Sequence, residues 1–531
     1  MKNRNIKARM MARFTQCQQL FCHRWTTNWL GDDVARAIAN GNWIRIPQSL
    51  NHSYVHHEEC CETPATHHRR AIRNLMWMLK DHPMLIRFSP MRFPDIKPNR
   101  AVDPTRRKLL GCLAAATAPL IIPSRLLGKD APSNKITLGF IGMGGHGIGR
   151  NLGNFLAQPD AVTLAVCDAR KSAASRAMEL VHQHDENNAC LAYQDFREVI
   201  ARKDIDAIVI STPDQWHAPM SMASLQAGKD VFCEKPSLTI TEGRELADEV
   251  AKRQAVFQWG LEDRSLIKYH RLAGWARSGM IGKLQSVHVS LPSKRPFPME
   301  ASGPIPDDLD WNLWLGPAPF HPYTPQRTNP EHWRMIEDYS GGVITDWGSH
   351  LMDTAQIGVD MENSGPLEIS GTCEMPDAAA SESSVPFNVN VRYRYANDVE
   401  IFVTEGEVDI KFVGADGWVR CHGWNGEWSA SNPEILRIDR FPDTADFWPL
   451  PPVEHRDFLD AMKSRGNPAY HVEAGHRLST TLHLGHLAVR SGRVIQWNPE
   501  TESFGNGDVE SAISSIYRRP ARDWEAGYAD R

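Results

Sequence analysis

The chain is 531 residues long with 23% charged and 41% hydrophobic residues, a balance that excludes wholesale disorder and fibrous repeats. No apolar run reaches the ~18–20 residues of a spanning helix, so no integral membrane span is expected. The net charge of −5 is unevenly spread: residues 1–133 hold 21 Lys+Arg against 9 Asp+Glu, and the remainder holds 38 against 55. An acidic body of this kind repels phosphate backbones, so nucleic acid is not expected as a partner.

Residues 1–100 keep neither a helical nor a strand period and read as a poorly structured N-terminal extension. His57, His67 and His68 lie near Cys60 and Cys61, but adjacent cysteines do not converge on one zinc, and no metal site is expected. In residues 101–133, Thr105-Arg106-Arg107-Lys108 precedes an apolar run, Leu113 to Ile122, and then Pro123-Ser124. A twin arginine, an apolar core and a polar exit resemble a twin-arginine export signal and imply a periplasmic or exported protein. The alternative, a cytoplasmic chain, reads the same stretch as an amphipathic helix on a linker. Beyond residue 133 the cysteines are Cys167, Cys190, Cys233, Cys373 and Cys421. An odd, dispersed set is not a disulfide framework, and these read as small buried hydrophobes.

From residue 134 to 262 the pattern is regular. Ile136 to Ile141 is a strand, followed by Gly142-Met143-Gly144-Gly145-His146-Gly147 and a helical stretch through Phe155. Glycines at these spacings, between a strand and a helix, form a dinucleotide fingerprint. Gly142 allows the tight turn, Gly144 with Gly145 lets backbone approach a pyrophosphate, and Gly147 lets helix pack on strand. The helix N-terminus offers N–H groups and partial positive charge to phosphates. A second strand, Val162 to Val166, ends at Asp168, 26 residues beyond Gly142, in place for the acid that holds the adenosine ribose. Asp168 argues for NAD, whereas Arg170 could neutralise a 2′-phosphate, so NADP stays open.

Helices are expected over 173–182, 196–200, 217–227 and 241–253, with a fourth strand over 205–212, a fifth over 231–233 and a sixth over 256–260. This alternation predicts an α/β Rossmann domain, a doubly wound parallel sheet with ligands at the carboxyl ends of its strands. Those ends carry Ser211-Thr212-Pro213-Asp214-Gln215-Trp216-His217 and Cys233-Glu234-Lys235-Pro236. Pro213 and Pro236 stop each strand and aim their neighbours at the nicotinamide crevice. Thr212, Pro213, His217, Glu234 and Lys235 are therefore candidate cofactor contacts.

Glu234-Lys235-Pro236 after the fifth strand resembles the hallmark of the glucose–fructose oxidoreductase/inositol dehydrogenase (Gfo/Idh/MocA) family, over about residues 134–531. The resemblance implies that residues 263–531 form an α+β domain on a large open mixed or antiparallel sheet, which takes a sugar-like substrate and often mediates homo-oligomers. The residues agree: strand-like runs cover 284–291, 367–373, 387–395, 400–404, 408–413 and 418–421, after a connecting helix over 263–279. Between the first two runs, Ser340 to Asp353 reads as a helix led in by Gly341 and Gly342. Asp346, His350 and Asp353 fall at i, i+4 and i+7, on one face. Oxidation of a secondary alcohol needs a base for the hydroxyl proton while hydride leaves the same carbon, and histidine suits that task. The family's catalytic lysine, aspartate and histidine map onto Lys235, Asp346 and His350 through E-K-P and D-x-G-x-H.

Arg264, His270, Arg334 and Trp347 are further candidates for substrate contact, and Trp311 with Trp314 pack a core or stack on sugar. The expected function is NAD(P)-dependent hydride transfer with a sugar, cyclitol or glycoside. One alternative is an NAD-dependent glycoside hydrolase that oxidises its substrate transiently and eliminates the aglycone. Another is a non-catalytic sugar- or NAD-sensing protein.

Overall fold

Strands and helices follow from Ile136 onward in a computed structural model that describes residues 135–185, 189–441 and 450–505, all within one compact unit, Ile121–Arg531. The basic extension and the twin-arginine-like stretch lie outside the described residues. Among those described, no helix is long and apolar enough to cross a membrane. The five described cysteines are free thiols, and all but Cys373 are buried.

The first layer is a six-stranded parallel sheet: β1 (Ile136–Ile141), β2 (Ala161–Cys167), β3 (Leu191–Tyr193), β4 (Ala207–Ile210), β5 (Asp230–Glu234) and β6 (Phe257–Gly260). The order is β3-β2-β1-β4-β5-β6, so the direction of winding reverses between β1 and β4 and opens a crevice at their carboxyl ends. Every residue of β4, β5 and β6 is buried, as continuous apolar strands covered on both faces must be. A third strand was implied by the numbering of the others but not located; it is β3, whose three residues, none of them buried, carry too little pattern. Helices α1 (a π-helical turn Gly147–Leu152 continuing as Gly153–Leu156), α2 (Lys171–His184), α3 (Phe196–Ile200), α4 (His217–Gln226) and α5 (Ile240–Arg253) connect the strands.

After β6 a 3₁₀ turn, Glu262–Ser265, leads into α6 (Ile267–Arg277). The second layer is a nine-stranded sheet built on β7 (Leu284–Pro292), β8 (Glu368–Glu374), β9 (Phe387–Arg394), β10 (Glu400–Gly406), β11 (Asp409–Gly414) and β12 (Gly417–His422). It adds three short strands that the pattern did not reveal: β13 (Glu427–Ala430), β14 (Ile495–Asn498) and β15 (Ser503–Phe504). β10 runs parallel to β7 and the other pairs are antiparallel, so the sheet is mixed. α7 (Trp311–Leu315) and α8 (Val343–Gly358) follow β7, and α9 (Glu454–Ser464) and α10 (Val472–Ser491) follow β13. α8 and α10 pack on one another and on the sheet. Gly348 brings α8 close to Leu482 of α10.

α9 returns to the first layer. Phe458 meets Phe155 and Phe232 edge-on at 6.2 and 5.7 Å, and His455 stacks on Phe232 at 5.3 Å. His455 Nε2 contacts Asn151 Oδ1 at 2.9 Å, while Asn151 Nδ2 donates to Ser211 Oγ and Glu234 Oε1 at 2.8 and 2.7 Å. α9 thus braces the helix behind the glycine loop.

Burial keeps several histidines neutral. It pushes His483 and His471 down to about 4, and His486 and His455 down to about 3. The unfolded chain takes up protons on these rings near pH 6.5 and the folded chain does not. Their contribution is therefore complete above that pH and is lost as pH falls toward 4, about 2 kcal/mol per ring by pH 5. Asp160 and Glu502, held down to about 2, weaken the fold only below about pH 4. We expect the melting temperature of His483→Gln/His486→Leu to fall less between pH 7.5 and 5 than that of the parent chain; parallel curves would refute the assignment.

Candidate active site

The glycine loop is shaped by close approach. Gly142 has φ +93°, and an added Cβ would lie 2.6 Å from the Ser211 carbonyl and 2.8 Å from Thr212 N. At Gly147 a Cβ would strike the carbonyl oxygen of Gly142. By contrast, a Cβ at Gly144 or Gly145 would have no atom within 4 Å. Strain and crowding thus fix the two outer glycines, and the inner pair leaves a cradle of bare backbone at the helix start. Asp168, at the end of β2, accepts hydrogen bonds from Met143 N and Arg170 N, both at 2.7 Å. Burial pushes its carboxyl up, and these two N–H groups oppose that. Thr212 Oγ1 is buried without a partner beside the same loop. Open backbone, a ribose-side carboxylate and an unpaired hydroxyl together fit a dinucleotide.

The cleft continues past Pro213, His217, Glu234 and Lys235 to Arg334, Asp346, Trp347, His350 and Trp424. His217 bridges its walls: Nδ1 lies 2.8 Å from Pro236 O and Nε2 2.9 Å from Thr212 O. Both ring nitrogens are thereby occupied, and His217 joins the loops after β4 and β5. Glu234 accepts from Asn151 and faces His146 Nε2 at 3.0 Å. Burial pushes the Glu234 carboxyl up, but His146 and Asn151 more than reverse this and hold it low.

Lys235 reaches across from the first layer to the first turn of α8. Its Nζ donates to Asp346 Oδ1 at 2.9 Å and to the Asp346 carbonyl at 2.8 Å. Gly342 makes this turn possible, with φ +73° and Val385 Cγ2 2.8 Å from where a Cβ would stand. Burial opposes charge on Asp346, yet Lys235 and Arg334, whose Nε lies 3.4 Å from Oδ2, hold its carboxyl well below the usual range. Asp346 is therefore an anion near neutral pH.

One turn further, His350 Nδ1 lies 2.6 Å from Asp263 Oδ2. Asp263 is buried, and its other oxygen accepts from Trp424 Nε1 at 3.1 Å. Burial pushes the Asp263 carboxyl up, while the His350 ring pulls it back. With Nδ1–H donated to the carboxylate, Nε2 carries the lone pair. The imidazole stands between two indoles, Trp347 at 5.7 Å and Trp424 at 6.1 Å. Glu262, Asp263 and His350 bring one donor atom each within 4.8 Å of one another. Both Asp263 oxygens already hold hydrogen bonds, to His350 and Trp424.

Asp263 and Trp424 were missed by the sequence reading. Asp263 has a local signal, as an acid just past the carboxyl end of β6, where this fold places ligands. Trp424 has none, because it arrives on the turn between β12 and β13. Arg264 needs correction as a substrate contact. It is buried, donates to both oxygens of Asp353 at 2.9 and 2.6 Å and lies 4.5 Å above the Tyr470 ring. Asp353 is thereby turned away from the cleft despite its place on the helix, and the pair ties the turn carrying Asp263 to α8. His270 is not among the cleft-lining residues either; its ring lies 6.3 Å from Phe441. Trp311 is buried and stacks at 4.9 Å on Trp314, which lines the cleft.

Residues 136–261 match the model of an oxidoreductase family's NAD-binding Rossmann fold, GFO_IDH_MocA, and residues 297–525 match that family's C-terminal alpha/beta domain. The chain is 34% identical over 149 residues to a "Glycosyl hydrolase family 109 protein 1" of Shewanella sp. (strain MR-4), covering 26% of this chain and 32% of that protein. It is also 34% identical over 134 residues to an "Alpha-N-acetylgalactosaminidase" of Shewanella oneidensis, covering 24% and 29%. The chain thus spans about a third of these curated relatives. Among solved structures, the WlbA dehydrogenase of Chromobacterium violaceum, in complex with NADH and UDP-GlcNAcA, superposes with a TM-score of 0.53 at 17% identity over 68% of this chain and 96% of that one. The aldose-aldose oxidoreductase of Caulobacter crescentus gives 0.51 at 15% identity, over 68% and 99% respectively. At these identities the likeness is one of fold.

The open cradle gives a sharp contrast between two glycines. Gly144→Val is expected to leave the melting temperature within about 2 °C of the parent, as nothing crowds its Cβ, while weakening NAD binding at least about tenfold by calorimetric titration. Gly142→Ala is expected to lower the melting temperature as well, because of its φ and its contacts with Ser211. Equal effects on both properties would contradict this account of the loop.

Proposed function

The chain belongs to the Gfo/Idh/MocA oxidoreductase family, and on that premise we propose that it oxidises a secondary alcohol of a sugar, cyclitol or glycoside. The observation that carries this reading is the meeting of Lys235, Asp346 and the His350–Asp263 pair at one cleft that begins at the glycine loop. When bound, the nicotinamide cofactor supplies the hydride acceptor. Gly144, Gly145 and Thr212 would hold its phosphates and Asp168 its ribose. His350 takes the hydroxyl proton at Nε2, and Asp263 both fixes the tautomer and offers a counter-charge to the imidazolium. Lys235 Nζ donates to the same oxygen as negative charge grows there. Asp346 holds that ammonium in place, and Trp347 with Trp424 presents aromatic faces to the apolar side of a sugar ring. We read the stretch from Thr105 to Ile122 as an export signal, which would place this chemistry outside the cytoplasm.

A second reading is favoured by the glycosidase names of the curated relatives. In it, oxidation acidifies the neighbouring carbon, a base removes its proton, the aglycone leaves and takes up a proton, water adds across the double bond so formed, and hydride that the cofactor would return restores the alcohol. Both readings use the same residues, and they differ in whether reduced cofactor accumulates. A non-catalytic sensor would have no use for a histidine oriented by a buried carboxylate.

Lys235→Met and His350→Ala are each expected to lower kcat about 10³-fold or more, and Asp263→Asn about 10²-fold, with the NAD dissociation constant changed less than about threefold. A sugar and aryl-glycoside panel followed at 340 nm and by product release reads both outcomes. Accumulating NADH marks net oxidation, and aglycone release that needs NAD at constant NADH marks the hydrolytic cycle. Variants that lose NAD binding instead of turnover would overturn the roles given to Lys235 and His350.

A further inference from the structure

At the carboxyl end of β2, a carboxylate and a guanidinium stand two residues apart and favour different dinucleotides. Asp168 suits a free 2′-hydroxyl on the adenosine ribose. Arg170 is the type of residue that takes a 2′-phosphate. Both line the cleft. In the folded chain, however, Arg170 is already engaged, for its guanidinium donates to Asp308 Oδ1 at 3.1 Å from 138 residues away. Ser172 Oγ donates to the other Asp308 oxygen. Those two partners, Ser172 foremost, hold the Asp308 carboxyl below its ordinary value.

Backbone register places Asp308 there. Its carbonyl accepts from Lys171 N at 2.8 Å, Asp310 N donates to Ala169 O at 2.9 Å, and Leu309 pairs with Arg170 as an antiparallel bridge. Gln194 Nε2 donates to Ala169 O at 2.9 Å and steadies the loop from the other side. A segment of the second half of the chain is thus laced along the loop after β2, with its carboxylate on the arginine two residues beyond Asp168.

We propose that Asp308 makes this protein select NAD over NADP, by occupying Arg170 so that it does not take a 2′-phosphate at the ribose end of the cleft. The inference rests on reading the cleft as a dinucleotide site. Arg176 also lines the cleft; it stays in place in every variant below and sets a common baseline.

The test is calorimetric titration of the full chain, freed of nucleotide, with NAD and with NADP at one ionic strength. The parent is expected to bind NAD at least about tenfold more tightly than NADP. Asp308→Asn keeps the side-chain shape, an acceptor for Ser172 and the backbone bonds, and is expected to tighten NADP at least about tenfold while NAD changes less than about threefold. Adding Arg170→Ala is expected to cancel that gain. Arg170→Ala alone, which does not depend on how well the Asn variant folds, is expected to leave the ratio of the two affinities unchanged. Equal binding of both nucleotides by the parent overturns the inference. So does an NADP affinity indifferent to Asp308→Asn, a gain that survives loss of Arg170, or a fall in NADP affinity in the single Arg170→Ala chain. A parent that binds neither nucleotide overturns the cofactor reading beneath it as well.

Discussion

An ammonium from one sheet and a carboxylate from a helix on the other meet at 2.9 Å, in the Lys235–Asp346 pair. The remainder of the site is arranged around that contact. Both side chains are mostly shielded from water, and an unpaired charge in such a place is costly, with loss of one partner from a buried pair commonly worth about 3–5 kcal/mol. The pair therefore favours the arrangement in which the loop after β5 and the first turn of α8 face each other. Arg334 on the second Asp346 oxygen leaves the group as a whole cationic at the point where an alkoxide would form.

His350, the proposed base, is held by a separate frame. His350 is one turn along α8 from Asp346, so the helix sets its distance from the ion pair. Its rotation is set by Asp263, and the 3₁₀ turn that carries Asp263 is tied to α8 by Arg264 and Asp353. Arg264 thus acts on the chemistry through position, without touching the cleft. Trp424 adds a third support from the mixed sheet by donating to the free oxygen of Asp263. In the proposed role, a proton acceptor supported from three elements loses little entropy on reaching its working geometry.

Local pattern disclosed the first layer almost completely. Apolar runs bounded by Gly and Pro mark β1, β2, β4, β5 and β6, because strands buried on both faces have little freedom in composition. The mixed sheet was legible along its long strands and invisible at its short ones: β13, β14 and β15 have four residues or fewer and gain their pairing from neighbours already in place. Lys235, Asp346 and His350 could be named because E-K-P and the D-x-G-x-H spacing lie within single segments. Arg264 was misjudged for the opposite reason, since an arginine near a cleft and an arginine buried on Asp353 look alike until the partner 89 residues away is known.

The sequence by itself determined a dinucleotide fold, a loop whose outer glycines, Gly142 and Gly147, no other residue could replace without strain or crowding, and an acid at the end of β2. These follow from φ angles, strand burial and short spacings, which act between residues close in the chain. Tertiary structure alone decided that Asp263 orients His350, that His217 is spent on two carbonyls, and that Arg170 is answered by Asp308. Each of these depends on an electrostatic or hydrogen-bonding partner brought from a distant segment. Such forces act over a few ångströms of space whatever the separation along the chain.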